Sequence, residues 1–379
     1  MYRDCGAGFF HKLWAGSRKT KREKIFRKFR MARWKGWEHT RIDPSSGAVI
    51  TAPDEPSPGG IDAITPVIVS ASRSTDIPAF YGDWFMDRVQ KGYAVWANPF
   101  SGQAQAVSFE KTRVFTFWSK NPRPFLPALD ELSREDYGIL FLYTVNDYED
   151  DGLEPAVPPL DERIRTFHEL SSRIGPGRLT WRYDPILISD HITPGRILEK
   201  IQGIGDHIHA LTRRLVISFI DISRYPRVKR NLAAAGFSGI REPAADEVTA
   251  IAEGLAELNK SWGLEIQVCG EETDLSSRGI QKAACISYDI LLREFPDDRL
   301  LMDFLSPGND PARRRRELKD PGQRNRCGCV VSKDIGHYST CMHHCRYCYA
   351  NASRAEVEKN YQRYCSHREN GIFLPAIVE

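Results

Sequence analysis

The sequence predicts an α/β fold, a TIM-like (β/α) barrel or partial barrel, on three observations. Short apolar, β-branched runs alternate with helix-like stretches from residue 66 onward, the pattern of βαβ units around a parallel sheet. The runs are almost continuously apolar, which fits strands covered on their outer side. Seven clear runs, with an eighth near the C-terminus, approach the strand count of a barrel, and 379 residues suit either two domains or one barrel with insertions.

Taken in order, the chain opens with a basic arm. Residues 1–35 hold 12 Lys/Arg against 2 Asp/Glu, and Ile25, Phe26 and Phe29 recur there at helical spacing. The arm reads either as a solvated, mobile extension or as a basic amphipathic helix able to touch nucleic acid or an anionic membrane, and Met31 is a candidate native start. Residues 36–65, rich in Pro, Gly and Ser from 43 to 61, read as a linker or a small hairpin. The barrel is expected over 66–310. Its strands are PVIVSAS (66–72), AVWANP (94–99), RVFTFWSKNP (113–122), GILFLYTVN (138–146), RLTWRYDPIL (178–187), RLVISFIDI (214–222) and LEIQVCGEE (264–272). Helices are expected over 79–91, 159–174, 194–201, 224–235 and 244–262. A cysteine-rich segment, 311–379, completes the barrel with a strand near 328–332 and a helix over 351–363.

Composition narrows the classes. With 41% hydrophobic and 27% charged residues, the chain is not collagenous, coiled-coil or wholly disordered. Nine cysteines in this length are too sparse for a small disulfide scaffold. No run of about 18 apolar residues predicts a membrane span, and the first residues lack a signal-peptide core. A cytoplasmic, reducing setting is expected, where clustered cysteines serve as metal ligands or catalytic groups. The net charge of +3 is uneven: beyond residue 35 there are 41 basic and 48 acidic residues. Nucleic acid is therefore expected to meet the basic arm only.

Barrel chemistry sits at the carboxyl ends of the strands. Several runs end there in polar residues, and Asp147 and Asp221 read as ordinary helix caps. A cation beside an apolar strand needs a partner, so Arg73, Lys120 and Arg182, with Asp76 and Asp184, are the candidate catalytic residues lining the mouth. Two carboxylates among cations point to a small polar substrate.

Cys5 and Cys365 are isolated and read as incidental. Cys341, Cys345 and Cys348 form C-x3-C-x2-C. Three thiolates on one loop suit an iron–sulfur cube with one iron left open. Zinc is the other reading, with His337, His343 or His344 as fourth ligand. Cys269, Cys285, Cys327 and Cys329 make a second set, enough for another [4Fe–4S] cluster or a structural zinc; Cys269 and Cys285 also read as buried core thiols.

The motif Cys341–Cys345–Tyr347–Cys348 resembles the C-x3-C-x-aromatic-C signature of radical S-adenosylmethionine (radical SAM) enzymes, set between a strand and a helix. Residues from about 32 to 352 are similar to the DUF1848 family through VIVSASRSTDIPAFYGDWF (67–85), FWSKNPRP (117–124), WRYDP (181–185), CGEETDL (269–275) and CGCVVSKDIGHYSTCMHHCRYCYAN (327–351). The resemblance implies a [4Fe–4S] cluster, SAM, a 5′-deoxyadenosyl radical and a reductase, ferredoxin or flavodoxin as electron donor. In that superfamily the motif lies on the first strand. Here it stands near the C-terminus, which implies a circularly permuted barrel in which the last strand closes beside strand 66–72. In that order Ser70, Ser72 and Arg73, with Tyr347, are the candidate SAM-binding residues. Two other readings stay open: a nucleic-acid enzyme resembling spore photoproduct lyase, and a zinc-stabilised non-catalytic barrel.

Overall fold

A computed structural model describes residues 36–50, 60–271, 273–306, 308, 310–324 and 326–378. The expected basic arm over 1–35 lies outside these residues. Their centre is an eight-stranded, wholly parallel sheet. Its strands are β3 (Ile68–Ser70), β6 (Val114–Ser119), β7 (Gly138–Thr144), β8 (Leu179–Ile186), β9 (Arg214–Phe219), β10 (Glu265–Val268), β11 (Gln281–Lys282) and β12 (Lys333–Asp334). Their order across the sheet is β11-β10-β9-β8-β7-β6-β3-β12. All but one neighbour follow in sequence order. The exception is β12, which pairs in parallel with β3 through Lys333↔Val69 and Asp334↔Ser70. The last strand thus lies where the permuted reading expected it, although at 333–334 rather than 328–332.

Alternate residues divide the sheet's two faces, as the period of two requires. Phe115, Phe117, Phe141, Tyr143, Trp181, Tyr183, Leu215 and Ile217 pack into one large core with the helices. Ile68, Val114, Trp118, Leu140 and Leu142 pack on the opposite face, with Cys285, Cys327 and Cys329. That second face grows polar toward the strands' carboxyl ends, through Asn146, Arg182, Asp184 and Ser218.

The helices form for local reasons. Helix α5 (Pro194–Ile208) starts at Thr193, whose hydroxyl accepts from Arg196 N–H at 3.3 Å, with Pro194 in its first turn. Its buried face is Ile197, Ile201, Ile204 and Ile208, spaced as a helix stripe. Helix α7 (Ala245–Trp262) ends at Gly263 in the left-handed region, φ 66°. The two pack closely because glycines make room: a Cβ on Gly205 would lie 2.3 Å from the Trp262 ring, and one on Gly254 2.2 Å from Leu198.

One expectation needs correction, and another resolves: AVWANP (94–99) is not a strand of the large sheet, and the described residues of 36–65 include an antiparallel strand pair, the hairpin alternative rather than a linker. Strands β1 (His39–Ile42), β2 (Ile61–Ile64), β4 (Tyr93–Ala97) and β5 (Ala104–Ser108) form a separate four-stranded sheet in the order β1-β2-β5-β4. The reason lies in the turn after β4. Asn98 Oδ1 accepts from the backbone N–H of Phe100 and Ser101, and Gly102 takes φ 69°. That tight reversal makes an antiparallel hairpin with β5; a parallel neighbour needs a crossover of a dozen or more residues. Among the described residues no helix is long and apolar enough to cross a membrane.

Phe117 is fully buried, with ring centroids 5.3 Å from Phe85, 5.0 Å from Phe125 and 5.6 Å from Phe141. Phe117→Ala should lower unfolding free energy by about 3–5 kcal/mol, read from the midpoint of a denaturant titration.

Candidate functional site

Strand β12 leads into a loop over 335–353, and helix α11 (Arg354–Glu369) follows, capped by Ser353, which accepts from Glu356 N–H at 3.2 Å. The loop is tied down from several sides. Tyr81 Oη donates to Thr340 O at 2.6 Å, Asn351 Nδ2 to Cys341 O at 2.8 Å, Asn231 Nδ2 to Cys348 O at 2.9 Å, and Arg346 N–H to Leu153 O at 2.9 Å. Ser339 and His344 take left-handed backbone, φ 57° and 54°, which lets the loop fold back on itself.

Cys341, Cys345 and Cys348 are half-buried free thiols on this loop. Burial raises the pKa of each, and at Cys341 and Cys345 the neighbouring thiols push the same way. Opposing that, the backbone N–H of His343 points at the Cys341 sulfur, and those of Ala350 and Asn351 at the Cys348 sulfur. Amide donors aimed at sulfur suit thiolates. Buried and crowded together, the three ionise as a set only when a positive centre binds them. The donor types therefore suit a metal cluster, while among the described residues no three such side chains stand ready around one ion position.

Glu154 lies beneath the loop, 4% exposed. Its Oε1 accepts from Lys120 Nζ at 2.7 Å, from Asn146 Nδ2 at 2.9 Å and from Tyr347 Oη. Arg163 Nη1 stands 3.9 Å from its Oε2. Burial would raise this carboxyl, but Lys120 and Arg163 outweigh it and bring its pKa down to about 2. Burial likewise opposes the Lys120 charge, yet Glu154 and Cys345 carry its pKa upward. Asp76 is the second anchor. Its Oδ1 caps Ala79 N–H at 3.0 Å, while Oδ2 accepts from Lys120 N–H at 2.8 Å and meets His343 Nε2 at 2.7 Å. His343 Nδ1 faces Ala156 O at 3.2 Å, so protein oxygens occupy both its nitrogens.

A second thiol group packs elsewhere: Tyr347 and Cys345 of the loop belong to the core shared with the helices, whereas Cys285, Cys327 and Cys329 belong to the core on the opposite face. Cys269 follows β10, Cys285 follows β11, and Cys327 and Cys329 precede β12. Cys285 shares hydrogen bonds with Cys269 and with Cys329, and Cys329 with Cys327. This sharing pulls Cys285 and Cys327 down in pKa and pushes Cys269 and Cys329 up. Three arginines surround the group. Arg73 runs over the Trp118 ring at 4.9 Å to Ser332 Oγ at 3.0 Å and interacts with Cys327 and Cys329. Arg182 pairs with Asp184 and faces Cys269 and Cys285. Arg214 donates to Ala284 O at 2.8 Å and Cys285 O at 3.3 Å. Asn146 joins the two groups, donating to Glu154 and to Asp184 O at 3.0 Å and accepting from Asp184 N–H at 2.9 Å.

The sequence-predicted residues thus separate. Asp76, Lys120, Tyr347, Cys341, Cys345 and Cys348 come together around one loop. Arg73 and Arg182 turn instead to the second thiol group, and Asp184 lies between. Ser70 Oγ bonds Ser332 Oγ at 2.7 Å, and Ser72 Oγ bonds Ser74 Oγ at 3.0 Å; both serines are fully buried and shape the turn after β3. Sequence reasoning missed Glu154, Arg163 and Arg214. Arg163 carried a signal. It sits on the buried stripe of helix α4 (Leu160–Ile174) with Phe167, Leu170 and Ile174, where a cation requires an anion.

Fold and site define an α/β protein built on a large parallel sheet, with two cysteine groups, one of them on the loop after the last strand. The chain belongs to the DUF1848 family, a domain of unknown function whose sequence profile matches residues 68–350. A search of the curated proteins finds no match. Among solved structures, one similar chain is a Bacteroides thetaiotaomicron protein provisionally described as an alpha-L-fucosidase. It shares 11% identity over 68% of this chain and 85% of that one, with a TM-score of 0.23, too distant to bear on fold or chemistry.

Because Glu154 titrates lower folded than its ordinary 4.5, it adds stability that is complete above that value and is lost as pH falls toward about 2. Glu154→Gln should cost about 3–5 kcal/mol at neutral pH by leaving Lys120 and Arg163 uncompensated. It should also flatten the acid limb of stability against pH, measured by denaturant titration across that window.

Proposed function

We propose that the protein is a radical SAM-type enzyme, in which Cys341, Cys345 and Cys348 hold a [4Fe–4S] cluster and leave one iron for SAM. The observation that carries this reading is the loop itself. Three thiols, with amide N–H groups aimed at two of the sulfurs, follow a strand that pairs in parallel beside β3. The eight parallel strands in nearly sequential order fit a permuted (β/α) barrel. When bound, the cluster and SAM would supply reductive cleavage to a 5′-deoxyadenosyl radical, with a ferredoxin, flavodoxin or reductase as electron source.

The chain's own residues bind and position. Lys120 sets a positive charge beside Cys345 and offsets the thiolates. Glu154 fixes Lys120 and the Tyr347 hydroxyl. Asp76 and His343 act as positioning residues, since their polar atoms are occupied within the protein. Asp184, paired to Arg182 and Ser218 at the carboxyl end of β8, is the group best placed for a small polar substrate.

The experiment is anaerobic purification followed by EPR of the reduced protein with and without SAM. The reading expects a signal that changes on adding SAM, and release of 5′-deoxyadenosine that Cys345→Ala abolishes. A signal indifferent to SAM, or zinc in place of iron at this loop, overturns it.

A further inference from the structure

We infer that Cys269, Cys285, Cys327 and Cys329 hold a second [4Fe–4S] cluster, which joins the two edges of the eight-stranded sheet. The inference stands whether or not the first loop binds SAM.

The positions of the thiols carry the argument. Strands β11 and β12 are opposite edges of the sheet. Cys269 and Cys285 come from the β10–β11 edge, whereas Cys327 and Cys329 come from the segment entering β12. Nevertheless Cys285, Cys327 and Cys329 share one buried cluster, with Cys269 packed against it. The backbone bears out the approach: Val330 N–H, just before β12, donates to Ile286 O, just after β11, at 2.9 Å. The segments that flank the two edges therefore come together, and the four thiols lie where they meet.

Charge points the same way. A four-thiolate metal centre is anionic, and an anion on a buried face requires cations. Arg73, Arg182 and Arg214 supply three, each largely buried and each from a different strand or strand end. Arg182 Nε is buried with no hydrogen-bond partner and so keeps a donor in reserve.

Donor spacing favours iron and sulfide over zinc. Structural zinc prefers pairs spaced C-x2–4-C around a single point. Cys327 and Cys329 are closer in sequence than that. A cube spreads its thiolates over separate irons.

The test uses the full chain carrying Cys341→Ser, Cys345→Ser and Cys348→Ser together, purified without oxygen. Iron, sulfide and zinc are measured, with EPR after dithionite reduction. About four irons and four sulfides should remain, with a signal blind to SAM, and adding Cys327→Ser and Cys329→Ser should remove them. Arg182→Gln in the triple variant should keep the iron and lower the reduction potential, because a cation that favours the more negative reduced state is gone. A folded triple variant without iron, or holding zinc, overturns the proposal. Should the triple variant not fold, Mössbauer spectra of the unaltered protein decide. About eight irons in two environments, one indifferent to SAM, support it; about four in one environment overturn it.

Discussion

The carboxylate of Glu154 is buried where the cysteine loop meets the sheet, and the surrounding groups are arranged outward from it. Lys120 reaches it from the end of β6, Asn146 from the end of β7, Arg163 from helix α4 and Tyr347 from the loop itself. A buried anion without these partners would be too costly to keep ionised. With them, four separate segments are held at one point, and the loop that carries Cys341, Cys345 and Cys348 has a fixed floor. Asp76 repeats the device on a smaller scale, tying a helix start, the Lys120 backbone and His343 together.

Around this floor Glu154 and Asp76 are set against Lys120 and Arg163, whereas the second thiol group faces three guanidinium groups. Asn146 and Asp184 lie between, the Asn146 side-chain amide bonded to both the N–H and the C=O of Asp184. The Asp184 carboxylate meets Arg182 and Ser218, while its backbone, through the Asn146 amide, is tied to Glu154. Residues that look like independent strand-end charges form one connected polar layer.

Much of the large sheet and the cysteine loop was legible in the sequence. The near-continuous apolar runs marked six of the eight strands, and the expected strand near 328–332 fell just short of β12, close enough to place the loop after it. The C-x3-C-x2-C spacing is local, so it survives without knowledge of the fold. AVWANP misled because an apolar run does not state which sheet it joins; the answer lay in the Asn98–Gly102 reversal. Glu154 left no periodic trace, since it stands in an irregular segment and its partners lie 34 and 193 residues away. Arg73 and Arg182 were rightly suspected of needing partners, but only tertiary structure shows that their long side chains reach the second thiol group.

The pairing of β12 with β3 has a consequence for how the molecule is made. Ser70 and its partner Ser332 are 262 residues apart, so a ribosome finishes nearly everything else before β3 acquires its second neighbour. At translation rates of about 5–20 residues per second, that edge waits many seconds with its backbone groups unpaired. An unpaired strand edge is a template for unwanted association. Newborn chains of this architecture therefore depend on a chaperone or on local collapse of the inner face until the final segment emerges. Truncation near the 3′ end of the message would release a nearly full-length chain with that edge permanently open.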